Sequence, residues 1–161
     1  MRNQIPIVLL LFFVVSSCNL NIQNDSQQPD SILYLKQIHN ITLNGNQYLI
    51  LFIPAGACNF CNKKTTDFLL QQKKISKRIF IVVAGLNNAE ISPLKNQLSK
   101  FNVNLLIDKG YSYKSFKSFK SNDPFYVYSN KKFKPFIEEI NANNFNFSLP
   151  QMQKNFDSFN D

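Results

Sequence analysis

The chain is poor in the residues on which metal and haem chemistry depend, with one histidine, His39, and three cysteines among 161 residues. A structural zinc site takes four soft or imidazole ligands, usually including a second cysteine or histidine pair, and no such pair is present. Covalent haem attachment needs a histidine directly after a C-x-x-C pair, and the place after Cys61 holds Asn62. Neither metal nor cofactor is expected. No apolar run reaches the roughly 20 residues of an ordinary membrane span. No long-period repeat occurs, so a stacked-repeat architecture is not indicated. Arginine is scarce as well, two against sixteen lysines, beside 22 asparagines. That bias points to an AT-rich coding sequence rather than to a binding site.

What is present suits one globular unit, since 44% hydrophobic and 14% aromatic residues in 18.6 kDa can build one sizeable core. The first segment stands apart from it. Met1 and Arg2 supply a basic start, Ile5 to Val15 is a short apolar run, and Ser16-Ser17-Cys18 is a small-residue exit, the layout of a secretory signal. Val15-Ser16-Ser17-Cys18 resembles the bacterial lipobox, in which cleavage leaves the cysteine as an acylated N-terminus; Val stands where Leu is commoner. A plain signal cut nearby or an uncleaved anchor is the alternative, and either way the domain is exported. Acylation of Cys18 leaves Cys58 and Cys61 as the two remaining thiols. Residues 1–17 contain Arg2 and no acid, so their removal takes the formal charge from +8 to +7. Behind an export signal, such a basic surface is expected to face anionic headgroups of a membrane rather than nucleic acid.

Residues 18–30 are polar and aperiodic, as a tether would be, and a domain is expected over 31–161. Ile32, Leu35 and Ile38 predict a short helix beneath a Ser31 cap, with a strand as the alternative. Asn44-Gly45-Asn46 marks a turn. The unbroken apolar runs Tyr48–Ile53 and Arg78–Ala84 predict strands buried on both faces. A helix carrying Phe68, Leu69 and Leu70, ending near Lys74, lies between them. Ser92-Pro93 reads as a helix start followed by a Leu94, Leu98, Phe101 stripe, and Val103–Ile107 as a third strand. This alternation argues for crossover units, a partly parallel sheet and the α/β class. Pro124 then heads a strand over Phe125–Tyr128, paired as a hairpin with one near Phe133–Ile137. Ser148-Leu149-Pro150 opens a closing helix with Met152, Phe156 and Phe159 on one face. In SYKSFKSFK, residues 112–120, helical spacing would put Tyr113, Phe116 and Phe119 on the core and Lys114, Lys117 and Lys120 on its border. With Lys109, Lys131, Lys132 and Lys134, those lysines could also lie against a membrane.

The strongest chemical signal is FIPAGACNFCNKK, residues 52–64. The strand before it delivers Cys58 to the mouth of a helix, where unpaired N–H groups and the positive end of the dipole favour a thiolate. Cys58 is therefore the expected attacking thiol. Cys61, one turn further in on the same side, is spaced to resolve a mixed disulfide by exchange. Lys63 and Lys64 add positive charge nearby or form a solvated face. Pro54, seven residues before Cys61, matches the spacing of peroxiredoxin loops, but their threonine place is Cys58 and no arginine follows nearby.

In its order of strand, C-x-x-C, helix, strand, helix, strand, then a proline heading a hairpin, the chain resembles the thioredoxin fold. With its lipoprotein signal it resembles the exported thioredoxin-like lipoproteins of the TlpA- and ResA-related group, common in Bacteroidetes. The anchors are Cys58-Asn59-Phe60-Cys61 and Asp123-Pro124-Phe125-Tyr126-Val127, and the resemblance spans roughly residues 31–161. It implies a central mixed sheet flanked by helices and a cis Pro124 beside the cysteines. It further implies a groove at Ala57, Asp123 and Pro124 whose free backbone groups hold an extended substrate chain. The activity implied is thiol–disulfide oxidoreduction in the cell envelope, on the periplasmic side of the inner or outer membrane. The partners implied are envelope proteins bearing cysteines or disulfides and a membrane thiol-electron donor. The chain departs from thioredoxins at several places: Ala57 replaces the usual Trp, Phe52 the buried acid, and Asp123 the usual Thr or Val. The spacer Asn59-Phe60 carries neither proline nor histidine, in a fold whose potentials span roughly −270 to −120 mV. A non-catalytic binding lipoprotein with Cys58–Cys61 as a structural disulfide is the rival reading.

Overall fold

A computed structural model describes residues 28–159, apart from 44, 46, 73 and 131–134. The signal segment, Cys18, most of the tether, two asparagines of the 44–46 turn, and Lys131, Lys132 and Lys134 lie outside the described residues. The elements run α1 (Asp30–His39), β1 (Tyr48–Pro54), α2 (Asn59–Gln71), β2 (Ile79–Gly85), α3 (Asn88–Leu98) and β3 (Asn104–Lys109). A 3₁₀ turn (Ser112–Ser115), β4 (Phe125–Ser129), β5 (Phe136–Glu139) and α4 (Phe145–Asp157) follow. The strands form one mixed sheet in the order β3-β2-β1-β4-β5, parallel across β3-β2-β1 and antiparallel across β1-β4-β5. The chain is thus an α/β protein with a five-stranded sheet flanked by helices, an arrangement compatible with a thioredoxin-like fold. Among the described residues no helix is long and apolar enough to cross a membrane.

The apolar runs make the two central strands because every residue of β1 and β2 is buried, which only a strand covered on both faces allows. Alternate side chains then feed two cores. Leu49, Leu51, Ile53, Ile81 and Val83 pack with Phe68 and Leu69 of α2, Ile91 and Leu98 of α3, and Met152 and Phe156 of α4. Ile50, Phe52, Phe80 and Val82 face the other way, onto Tyr34 and Leu35 of α1 and onto Tyr113, Phe119 and Phe125. Each such fully buried side chain contributes about 1.5–3 kcal/mol.

Several boundaries differ from expectation. Ser31 is not the cap of α1: it sits inside the helix, buried, with its Oγ 2.7 Å from Tyr48 Oη. The buried face of α1 is Ser31, Tyr34 and Leu35, while Ile38 is exposed. The helix expected to start at Ser92 begins at Asn88, capped by Asn87 accepting from Glu90 N–H at 3.1 Å, so Pro93 lies within it. The last helix likewise begins at Phe145 and takes in Pro150. The second hairpin strand runs over Phe136–Glu139, overlapping the expected Phe133–Ile137, of which Phe133 and Lys134 lie outside the described residues. The stretch 112–120 holds only the 3₁₀ turn, yet Tyr113 and Phe119 are fully buried and Phe116 packs beside them. Burial of those rings was legible; their helix was not.

The second core is closed by aromatic contact and by a buried polar chain. Phe52 and Phe125, opposed across β1 and β4, stack at 4.5 Å with an 8° tilt, and Tyr34, Tyr113 and Phe119 surround them. Asp108, 1% exposed at the end of β3, accepts from Ser112 N–H (2.8 Å), Tyr113 N–H (2.9 Å) and Tyr34 Oη (3.1 Å). His39 Nε2 lies 3.0 Å from the same phenol. Burial, then the charge and hydrogen bond of Asp108, hold the Tyr34 phenol far above its ordinary range, and burial pulls His39 below its own. Phe52→Ala should cost about 3–5 kcal/mol in denaturant unfolding. A loss below about 1 kcal/mol would contradict the stacked cluster.

Candidate functional site

The site is built where β1 runs into α2. Pro54 ends the strand, and its carbonyl accepts from Ala57 N–H (3.1 Å) and from Asn62 Nδ2 (2.9 Å). Ala55 N–H donates to Ala84 O at 2.7 Å, tying the turn to β2. Gly56 N–H donates to Tyr111 Oη at 3.2 Å, and a Cβ at position 56 would stand 2.8 Å from that oxygen, so a larger residue there requires the Tyr111 hydroxyl to move. Tyr111 Oη in turn lies 3.4 Å from Glu90 Oε2, which also accepts from Leu86 N–H at 2.9 Å. Three elements therefore hold the loop.

Cys58 emerges from this loop as the N-cap of α2, its Sγ accepting from Cys61 N–H at 3.3 Å. Cys58 is exposed and Cys61 buried, at 1% exposure, and both are free thiols. The two sulfurs are driven apart in acidity. The hydrogen bond from the Cys61 thiol, then the backbone N–H groups of Cys61 and Phe60, pull Cys58 below its ordinary value, against desolvation and, least of all, the Asp123 carboxylate. Burial, followed by the hydrogen bond and charge of Cys58 and the charge of Asp123, pushes Cys61 up to about 12. The lysines take no part in this. Lys63 pairs with Asp67 at 2.6 Å, and Lys64 lies over the rings of Phe60 and Phe145 at 5.6 and 5.8 Å. Phe60, in the spacer, is 46% exposed and meets Phe145 edge-on at 5.3 Å.

Ala57 is half-buried in the loop, as is Asp123, whose charge acts on both sulfurs only as a minor influence beside burial and the hydrogen bonding between them. Pro124 is buried at the head of β4, but the described residues contain no cis peptide bond, so the expected cis Pro124 is corrected to trans. Trans is the lower-energy isomer by about 0.5–1 kcal/mol. The groove's backbone is also already bonded within the chain. Asp123 N–H and C=O both pair with Ser121 Oγ at 3.1 Å, and Pro124 C=O accepts from Ile140 N–H at 2.6 Å. An extended partner chain must displace the Ser121 hydroxyl to reach Asp123.

Sequence reading missed Ser121, Tyr111 and Asn62 as supports of the site. Tyr111 adopts φ 55°, directly after Gly110 at φ 79°, and that Gly-aromatic step after a strand is the one local hint of it. A cleft of about 420 Å³ lies between α2 and α3, lined by Asn59, Asn62, Asp67, Glu90, Pro93 and Leu94 among others, and neither cysteine lines it. Among the described residues, no three His, Cys, Asp or Glu side chains form a metal-holding group. No family model, curated protein or solved structure matches the chain.

Alkylation followed against pH should show Cys58 titrating below an ordinary thiol, with Cys61 unreactive through neutral and mildly alkaline pH. Cys61→Ala should raise the Cys58 midpoint, because the thiol donor that lowers it is gone. Equal alkylation rates at the two cysteines would contradict this asymmetry.

Proposed function

We propose that this is a thioredoxin-fold thiol–disulfide oxidoreductase, exported and lipid-anchored through Cys18. It acts on disulfides of envelope proteins, on the periplasmic side of the inner or outer membrane. The observation carrying the reading is an exposed, acid-shifted thiol at a helix N-terminus, accepting a hydrogen bond from the N–H of Cys61, whose own thiol is buried one turn further in. The Cys58 thiolate attacks a partner disulfide, forming a mixed disulfide and releasing one partner sulfur as thiolate. Cys61 then attacks Cys58 Sγ, and the second partner sulfur leaves. The partner gains two electrons and the protein holds a Cys58–Cys61 disulfide. By the family resemblance, a membrane thiol-electron donor returns the pair to dithiol. No metal, organic cofactor or nucleic acid enters the scheme.

The second reading, a non-catalytic binding lipoprotein whose cysteine pair is a structural clip, draws on two observations. Phe52 is an aromatic core residue where thioredoxins bury an acid, and Asp123 has its backbone groups occupied by Ser121.

Equilibrating the domain in glutathione buffers and trapping the thiols separates the readings. A reversible two-electron potential is expected, with Cys61→Ser accumulating partner adducts on Cys58 in envelope extracts. A pair that resists reduction and yields no adducts supports the clip.

A further inference from the structure

Because β1, β2 and β3 run parallel, the pole opposite the cysteine loop is where β2 and β3 begin. A cleft of about 580 Å³ opens there, walled by the chain leaving α2, the turn into β2, the passage from α3 to β3, and Phe159 beyond α4. Its volume falls within the roughly 300–1,000 Å³ of small-molecule sites. Neither cysteine lines it, and the disulfide chemistry proposed above makes no use of it.

Its cations are set by a turn. Ile79 N–H donates to Ser76 O at 3.0 Å and Arg78 N–H to Ser76 Oγ at 3.3 Å, which places Lys77 and Arg78 at the two central positions of a β-turn. Asn104 Nδ2, at the head of β3, donates to Lys77 O at 2.6 Å, and Leu49 N–H donates to Arg78 O at 3.1 Å, so β3 and β1 hold that turn from either side. Lys74 joins the lining from the chain that leaves α2. Arg78 Nη1 donates to the neutral Gln47 Oε1 at 3.1 Å. Among the described residues none of the three cations has an acidic partner, and no acid lines the cleft. Asp157, at the end of α4, is outside the lining and accepts from Gln153 Nε2 at 2.7 Å. The cleft also has apolar surface. Ile75, Val103 and Phe159 pack on the first core yet stay half-buried, as does Phe101. The polar side chains between them are engaged within the chain: Gln72 exchanges hydrogen bonds with Gln153 at 2.8 and 3.3 Å, and Ser76 and Asn104 serve the turn.

We propose that this cleft binds a single anionic amphiphile, an alkyl chain ending in a carboxylate or phosphate, with the head at Lys74, Lys77 and Arg78 and the chain along Phe101, Val103 and Phe159. Three cations brought together without a counter-charge repel one another, and an anionic head removes that repulsion while accepting their hydrogen bonds. A bare anion leaves the aromatic and aliphatic lining wet, and a neutral chain leaves the charges unmatched; a molecule carrying both parts satisfies both halves of the lining. The fixed turn at Ser76 presets the position of two of the three cations before any ligand arrives. The proposal stands apart from the oxidoreductase reading, since it uses no residue of the cysteine loop.

The test is a titration of the purified protein with octyl phosphate below its micelle-forming concentration, followed by backbone amide shifts. Saturable binding is expected, with the shifts clustered around Ser76 and Val103. Lys77→Glu combined with Arg78→Glu changes two exposed side chains and should weaken binding by at least about tenfold, the scale of one lost hydrogen bond to a charged group. Phe159→Ser should weaken octyl phosphate and leave inorganic phosphate unaffected, and a retained amide spectrum shows that each variant is folded. Failure to saturate overturns the proposal, as does affinity unchanged in the double variant. Octanol or inorganic phosphate binding as tightly as octyl phosphate overturns it as well, because one half of the lining is then idle. Binding to phosphatidylglycerol vesicles without binding to the monomeric amphiphile marks a membrane-facing surface instead of a ligand site, and has the same consequence.

Discussion

The carbonyl of Pro54 accepts two hydrogen bonds at the point where a buried strand becomes a helix, and the placement of both cysteines depends on that junction. One bond closes the turn through Ala57; the other comes from Asn62, a residue of the helix being started. Because Asn62 is the next residue after Cys61, the bond that anchors the strand end also sets the rotation of α2. Cys58 is thereby left outside and Cys61 inside. Gly56 and Tyr111 hold the outer side of the same loop, and Glu90 extends the tie to α3. A short, polar set of contacts thus converts the rigidity of a fully buried strand into a fixed orientation for two sulfurs.

The difference in environment between those sulfurs follows from that orientation. Donors at a helix terminus stabilise negative charge on the outer one, while desolvation denies it to the inner one. The surrounding lysines, conspicuous in the composition, are spent elsewhere, on Asp67 and on two phenylalanine rings. Local hydrogen bonding outweighs the chain's overall basic charge at this site.

How much of this was legible depended on the range of the interaction. Unbroken apolar runs announce β1 and β2 because complete burial leaves no room for polar alternation, and C-x-x-C spacing announces the pair because it follows from helix pitch. The helices expected from Ser92 and Ser148 start upstream, at Asn88 and Phe145. Proline at a first turn is the commoner case, whereas here Asn87 provides a better cap upstream and the prolines fall within the helices. The rings of residues 112–120 were assigned to the core correctly and to a helix wrongly, because Asp108 pulls the chain into a tight turn that ends after four residues. Ser121, Tyr111 and Asn62 act on backbone groups far away or out of pattern, and spacing carries no trace of such contacts. The trans geometry at Pro124 likewise contradicts what family likeness implied, not what the residues themselves imposed.

Among the described residues the sheet ends at β5, a strand of four residues paired with β4. Phe136, Ile137 and Glu139 are exposed on it, while Glu138 is half-buried and accepts from Tyr126 Oη at 2.6 Å. An exposed Glu139 on so short an edge opposes a second copy approaching in register, and four residues leave little length for a foreign strand to template on. The chain therefore resists self-association by sheet extension, and it does so on the strand farthest in the sheet order from β3, with β4 between it and the strand that leads into the cysteine loop.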